Sequence, residues 1–259
     1  MNYKLYFSLV YKSPSTLGNL TGIADDDIVR YDPTTNEFSM VFDGSDLGLG
    51  NTDISAFHFM DSDTILLSFN NNFNLPGVGN ITYFDIVQFD ATTLGENTSG
   101  EFSLYFQGSR VGLNTNNENI DALNVLPDGR ILISTAGNVS VPDVTGGEKD
   151  IIAFTPSALR ESTSGSWSLY FDGSDVDLYS KNREDINGFA ITPNGNILIT
   201  TMGNFSVPGI SVSGEDIFIC QPVELGVNTI CEFSPFVWYG NQFGLSPNDV
   251  DGLDIEEGW

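Results

Sequence analysis

Asp53, Asn119, Asp185 and Asp249 each open the same short motif: Asp53-Ile-Ser-Ala-Phe57, Asn119-Ile-Asp-Ala-Leu123, Asp185-Ile-Asn-Gly-Phe189 and Asp249-Val-Asp-Gly-Leu253. Carboxylates and an amide drawn to one axis suit a hard cation such as Ca²⁺, which takes about six to eight oxygen ligands. Like charges gathered without a counter-ion are costly. These four residues are therefore the candidate metal ligands. A second set, Asp27, Asp85, Asp150 and Asp216, precedes Ile and further apolar residues, and a third, Asp43, Asp46, Asp172 and Asp175, lies in Asp-Gly-Ser-Asp turns. Aspartate at strand ends and in turns also accepts local backbone N–H groups. Capping is the favoured reading of the second set. For the third it is stronger still, because Gln107 and Arg110, or Gly240 and Asn241, replace the acids in other copies.

Catalytic signals are sparse. His58 is the single histidine, and its counterparts in the other copies are Asn124, Ala190 and Asp254. A lone histidine in a strand reads as a packing or exposed position rather than a catalyst. GxSxG, HExxH and phosphate-cradling glycine loops are absent, as is the spacing of an EF-hand. A carboxylate pair of the glycosidase kind on the loops is the enzymatic alternative. Against it, the acids recur with the repeat, whereas an active site breaks it.

The elements that position these residues are read from that repeat. Phe38-Ser-Met-Val-Phe-Asp-Gly-Ser-Asp-Leu-Gly-Leu49 recurs as Phe102-Ser-Leu-Tyr-Phe-Gln-Gly-Ser-Arg-Val-Gly-Leu113 and Trp167-Ser-Leu-Tyr-Phe-Asp-Gly-Ser-Asp-Val-Asp-Leu178, with a worn copy at Pro235–Leu245. The Asp-Ile motifs begin at 53, 119, 185 and 249, steps of 66, 66 and 64. After each of the first three comes a tight turn (Asp61-Ser-Asp, Pro127-Asp-Gly, Pro193-Asn-Gly) and a run such as Ile131-Leu-Ile-Ser. Short β-prone runs joined by such turns are hairpins. Each unit thus holds four strands, A to D, and four such units describe an all-β, four-bladed β-propeller.

The ends complete the count. Lys4-Leu-Tyr-Phe-Ser matches strand B without a preceding A, and Asp249 onward is a strand A without its B. The expected arrangement is one propeller over 1–259: blade 1 at 53–113, blade 2 at 119–178, blade 3 at 185–245, and a closing blade of 249–259 plus 1–49. Such sharing of a blade pins both sheet edges. The architecture resembles four-bladed propellers of the hemopexin type. The unit Leu-Tyr-Phe-Asp-Gly-Ser-Asp-Val-x-Leu, with its Asp-Ile-x-Ala-Phe and Pro-Asp-Gly-x-Ile-Leu-Ile-Ser partners, is similar to repeats of uncharacterised surface or secreted proteins of environmental bacteria. The resemblance implies a binding or scaffolding module and transfers no ligand.

Thirty-five acidic residues against nine basic ones give a net charge of −26. Such a chain repels phosphate backbones and anionic lipid, so neither nucleic acid nor membrane insertion is expected; cations, basic proteins, glycans or copies of itself are. Residues 1–10 read as a strand rather than a leader, and no apolar run reaches the ~18 residues of a membrane span. Cys220 and Cys231 fall on neighbouring strands of blade 3, as a disulfide or as two buried thiols. Trp238, Tyr239, Phe243 and Trp259 gather where the repeat is most worn; core packing and ring closure are favoured for them over glycan or protein contact. Asn19, Asn80, Asn97, Asn138 and Asn204 head Asn-x-Ser/Thr sequons. The functional expectation is a non-catalytic extracellular binding, adhesion or assembly module, stabilised by Ca²⁺ at the channel mouth.

Overall fold

The computed structural model describes residues 3–10, 16–50, 52–179, 183–245 and 250–257. The chain opens with β1 (Tyr3–Leu9), a small pair β2 (Thr16–Leu17) and β3 (Leu20–Thr21), then β4 (Ile28–Asp32) and β5 (Glu37–Phe42). Blade 1 holds β6 (Ile54–Phe59), β7 (Thr64–Phe69), the pair β8 (Phe73–Leu75) and β9 (Gly79–Ile81), β10 (Asp85–Thr93) and β11 (Ser99–Gln107). Blade 2 repeats this with β12 (Ile120–Val125), β13 (Ile131–Thr135), β14 (Val139–Val141), β15 (Val144–Gly146), β16 (Ile151–Ala158) and β17 (Ser164–Phe171). Blade 3 has β18 (Ile186–Ile191), β19 (Ile197–Thr201), β20 (Phe205–Val207), β21 (Ile210–Val212), β22 (Asp216–Glu224) and β23 (Ile230–Tyr239), and β24 (Val250–Glu257) ends the chain.

Four antiparallel four-stranded sheets result, ordered β6-β7-β10-β11, β12-β13-β16-β17, β18-β19-β22-β23 and β24-β1-β4-β5. The last is the shared blade, with Leu5 opposite Ile255 and Phe7 opposite Leu253. The inner strands β6, β12, β18 and β24 touch one another around a common axis. This is the four-bladed propeller that the repeat predicts. The small strand pairs are hairpins within the B-to-C connections, detail that the repeat did not disclose.

The core is four slabs of side chains, one between each pair of neighbouring blades. A middle strand is therefore covered on both faces, which explains runs such as Ile131-Leu-Ile rather than a strict alternation. Cys220 and Cys231 form a disulfide across β22 and β23, with Cα atoms 5.3 Å apart.

The strand C aspartates set the handover from one blade to the next. Asp85 Oδ2 accepts the Thr82 amide at 2.9 Å, and its Oδ1 accepts the Gly108 amide at 3.0 Å. Asp27 receives Ala24 and Gly44 in the same way, Asp150 receives Gly147 and Gly173, and Asp216 receives Ser213 and Gly240. Each glycine lies at the exit of strand D, pressed against the carbonyl that precedes the aspartate. A Cβ on Gly108 would stand 2.1 Å from the Phe84 oxygen, and on Gly173 2.3 Å from the Lys149 oxygen. The next inner strand then begins against the same blade: the Ile54, Ile120 and Ile186 amides donate to the Asp25, Tyr83 and Glu148 carbonyls, each at 3.0 Å.

Three of the four blade seams carry a further latch. A β-bulge at Val41, Tyr105 or Tyr170 turns that residue's carbonyl outward, where it accepts the amide of Gly95, Arg160 or Gly226 from the next blade's C–D turn at 2.7 to 2.9 Å. The hydroxyls of Thr98, Thr163 and Thr229 accept the amides of Asp43, Gln107 and Asp172 beside them. The closing blade has a shorter outer hairpin, β4 and β5 being 5 and 6 residues against 9 and 9 in blade 1. Its seam with blade 3 is filled by Phe7, Tyr31, Phe38, Trp238 and Phe243, with the Trp238 and Phe243 rings stacked at 5.3 Å. Trp238 is buried, so packing and closure are its role.

Gly108→Ala is expected to lower the unfolding free energy by about 3 kcal/mol, because backbone must move to admit the methyl group. Gly129→Ala, at φ +87° in an open turn, is expected to cost only about 1 kcal/mol for the left-handed backbone. Denaturant titration of the two variants checks the difference.

Candidate functional site

The axial channel is where residues of all four blades converge. Each inner strand carries a β-bulge at its second polar residue: Ser55, Asp121, Asn187 and, in β24, the Asp251-Gly252 step. A bulge re-aims a side chain and increases local twist. All four of these residues are buried. Two of them stitch neighbouring inner strands: Ser55 Oγ donates to the Ile120 carbonyl at 2.8 Å, and Asn187 Nδ2 to the Val250 carbonyl at 3.1 Å. Ser8 fills the same role from β1, donating to Ile54 and accepting the Gly252 amide.

Asp121 and Asp251 are the carboxylic acids of this ring, in which Ser55 and Asn187 donate. Burial pushes the Asp121 carboxyl well above the usual range, and the charges of Asp185 and Asp251 push it further. Asp185, at the upper end of the channel, is raised to about 7 by burial and then by the Glu148 charge, while a hydrogen bond with Asp121 works the other way. Two acids so placed disfavour each other's charge.

The candidate ligands are therefore only partly gathered. Asp185 meets Asp121 and Glu148. The Asn119 Oδ1 and Asp185 Oδ1 atoms are buried without a hydrogen-bond partner. Asp53 is drawn aside, its Oδ2 accepting Asn70 Nδ2 at 2.6 Å. Asp249 lies outside the described residues. Among the described residues no three carboxylate, imidazole or thiol side chains form a metal-holding group. Oxygen ligation there would draw on Asp121, Asp185 and the Asn119 amide, with backbone carbonyls and water completing it. Asp121 was not singled out in the sequence. Its signal was a polar residue between Ile120 and Ala122 on a strand buried on both faces.

The other acids are spent on the frame. The strand C aspartates hold the glycine turns already described. Asp43 Oδ1 and Asp172 Oδ1 accept Ser45 and Ser174 amides at 3.1 and 3.0 Å. Asp46 and Asp175 reach across the seam and accept the Thr98 and Thr229 amides at 2.8 and 2.9 Å. Of the sequon residues, Asn19 is committed through both amide atoms to the Phe38 backbone, whereas Asn80, Asn97, Asn138 and Asn204 are exposed.

At the opposite mouth the repeat breaks. The equivalent positions His58, Asn124, Ala190 and Asp254 form a ring of four different side chains. Asp254 Oδ2 accepts the Phe59 amide at 2.7 Å and lies 3.1 Å from His58 Nδ1, and its Oδ1 accepts the Ile255 amide at 2.8 Å. Asn124 Nδ2 is 3.3 Å from the same imidazole nitrogen. His58, Asn124 and Asp254 floor a cavity of about 660 Å³ that extends between the A–B turns of blades 2 and 3. His58 thus sits in a concave site rather than in simple packing, which its isolation in the sequence did not reveal.

No family model matches the chain, and no curated protein matches it. Among solved structures, a candidate gluconolactonase aligns over 96% of this chain and 67% of its own, with 11% identity and a TM-score of 0.35. The extracellular domain of a candidate one-component system from B. thetaiotaomicron aligns over 89% of this chain, with 12% identity and a TM-score of 0.32. This chain spans about a third of that protein, 33%. At these values neither likeness bears on function.

Burial is the leading cause that raises the carboxyls of Asp27 and Asp185, each to about 7, and of Asp85, Asp150 and Asp216. Each binds its proton more tightly in the folded chain than in the unfolded one. The stabilising contribution of each is complete below the ordinary carboxylate value of about 4 and is lost as pH rises through its raised value, which for Asp27 and Asp185 is about 7. Thermal melts at constant ionic strength and without divalent cations are expected to show a higher midpoint at pH 5 than at pH 8, with a smaller difference in Asp185→Asn.

Proposed function

We propose that this chain is a non-catalytic binding module that works outside the cell as a ligand-binding, adhesion or assembly unit. A divalent cation such as Ca²⁺ stabilises the upper end of its channel. The observation that carries the cation is the buried Asp121–Asp185 pair, with Glu148 beside it and the Asn119 oxygen unpaired, in a frame where the other repeated acids already accept N–H groups. A cation there would neutralise the pair. Of the four repeated candidates Asp53, Asn119, Asp185 and Asp249, the cation draws on Asn119 and Asp185. The binding class is supported by the same frame: the turn carboxylates Asp43, Asp46, Asp172 and Asp175 serve as caps and latches, which leaves them unsuited to act as a loop-borne acid/base pair.

The Cys220–Cys231 disulfide supports the location, since such bonds persist in oxidising compartments. No helix among the described residues is long and apolar enough to cross a membrane. A surface of net charge −26 favours basic proteins as partners, and a glycan or a further copy of the chain would have to bind by contacts other than net charge.

Ca²⁺ in excess is expected to raise the melting temperature by roughly 5–10 °C over chelator, the shift produced by a ligand at about a hundred times its dissociation constant. NaCl at matched ionic strength should not reproduce it, and Asp185→Asn should abolish most of it. Equal melts in Ca²⁺ and chelator would remove the cation from the channel.

A further inference from the structure

The cavity at the lower mouth has a chemistry that nothing so far assigns. Several of its polar residues depart from the repeat, whereas Tyr170 recurs as Tyr105. Arg130 occupies the place of Thr64 and Asn196 in the neighbouring blades, and His58, Asn124 and Asp254 replace one another at the floor.

The sign of the ligand follows from which atoms are already committed. The Asp254 oxygens accept two backbone amides and face His58. Asp128 accepts the Arg130 amide at 3.1 Å and its Nε at 2.9 Å. Thr192 Oγ1 is held within its own turn by Asn194 and Asn196. The carboxylates of Asp128 and Asp254 and the Thr192 hydroxyl are thus each engaged within the protein. The donors are not: among the described residues neither the Arg130 Nη groups nor the Tyr170 hydroxyl has a protein acceptor. Arg130 is also held in place, with its Nε on Asp128 and its guanidinium carbon 6.0 Å above the Tyr170 ring. A guanidinium fixed through Nε presents its two remaining nitrogens as a fork that matches a carboxylate. Leu126, Pro127, Ile191 and Pro193 supply the apolar part of the lining.

We infer that this cavity binds a small molecule with a carboxylate on an apolar body. The carboxylate is held by Arg130 and Tyr170, and the body lies against the two proline turns. Charges farther than about 8 Å are largely screened at physiological salt, so the local acids that an anion meets are Asp128, paired with Arg130, and Asp254, beside His58.

A panel of small aliphatic, aromatic and sugar acids, each paired with its uncharged amide, tests the inference by thermal shift in chelator, so that the upper channel plays no part. At least one acid should raise the melting temperature by about 2 °C or more while its amide does not. Calorimetry on that acid should show at least tenfold weaker binding to Arg130→Met and several-fold weaker binding to Arg130→Lys, which keeps the charge but loses the fork. Lys149→Met, in a B-to-C loop on the other face, should bind as the parent does. The inference is overturned if no acid shifts the melt, if acids and amides act alike, or if Arg130→Met binds within twofold of the parent. Arg130 is more than a third exposed, so these variants are expected to fold, and their circular dichroism checks that they do.

Discussion

One hydrogen-bonded constraint recurs in every blade and sets the course of the chain: an aspartate at the start of strand C holds the amide of a glycine at the end of strand D. The glycine cannot be exchanged, because a carbonyl stands where its Cβ would be. The aspartate is equally restricted, since it must accept two amides from opposite sides while buried. Together they fix the direction in which the chain leaves the outer edge of one blade to reach the inner edge of the next. Desolvation opposes this arrangement, as the raised carboxyls show, and the directed N–H groups offset part of that cost. The ring of inner strands, and with it both mouths of the channel, depends on that angle being the same four times.

Most of this frame was legible in the residues. Strands A to D could be placed because turn chemistry punctuates them, and the overlap of the ends because Lys4-Leu-Tyr-Phe-Ser and Asp249-Val-Asp-Gly-Leu253 are halves of one unit. The strand C acids were legible as caps for the same reason: a residue that recurs once per blade does the work of the blade. The hairpins inside the B-to-C connections were not, because their strands are only two or three residues long.

The sites were less legible than the frame. Asp121 escaped notice because a bulge interrupts the two-residue alternation from which a facing is read. The lower cavity draws on all four blades, blade 2 most of all, and Arg130 and His58 are more than seventy positions apart in the chain. Their common feature in sequence is departure from the repeat. In a chain built of copies, departures indicate position-specific chemistry more directly than the recurring acids do.

The seam between blade 3 and the closing blade differs in kind from the other three. Those are crossed by backbone latches, whose enthalpy changes little on cooling, whereas this one rests on ring packing around Trp238. Apolar association weakens as temperature falls. The ring is therefore thermally asymmetric. On cooling, the aromatic packing of this seam is expected to weaken more than the latches of the other seams, leaving the Asn187–Val250 hydrogen bond to cross it. Adaptation of such a fold to cold water would act first on this joint.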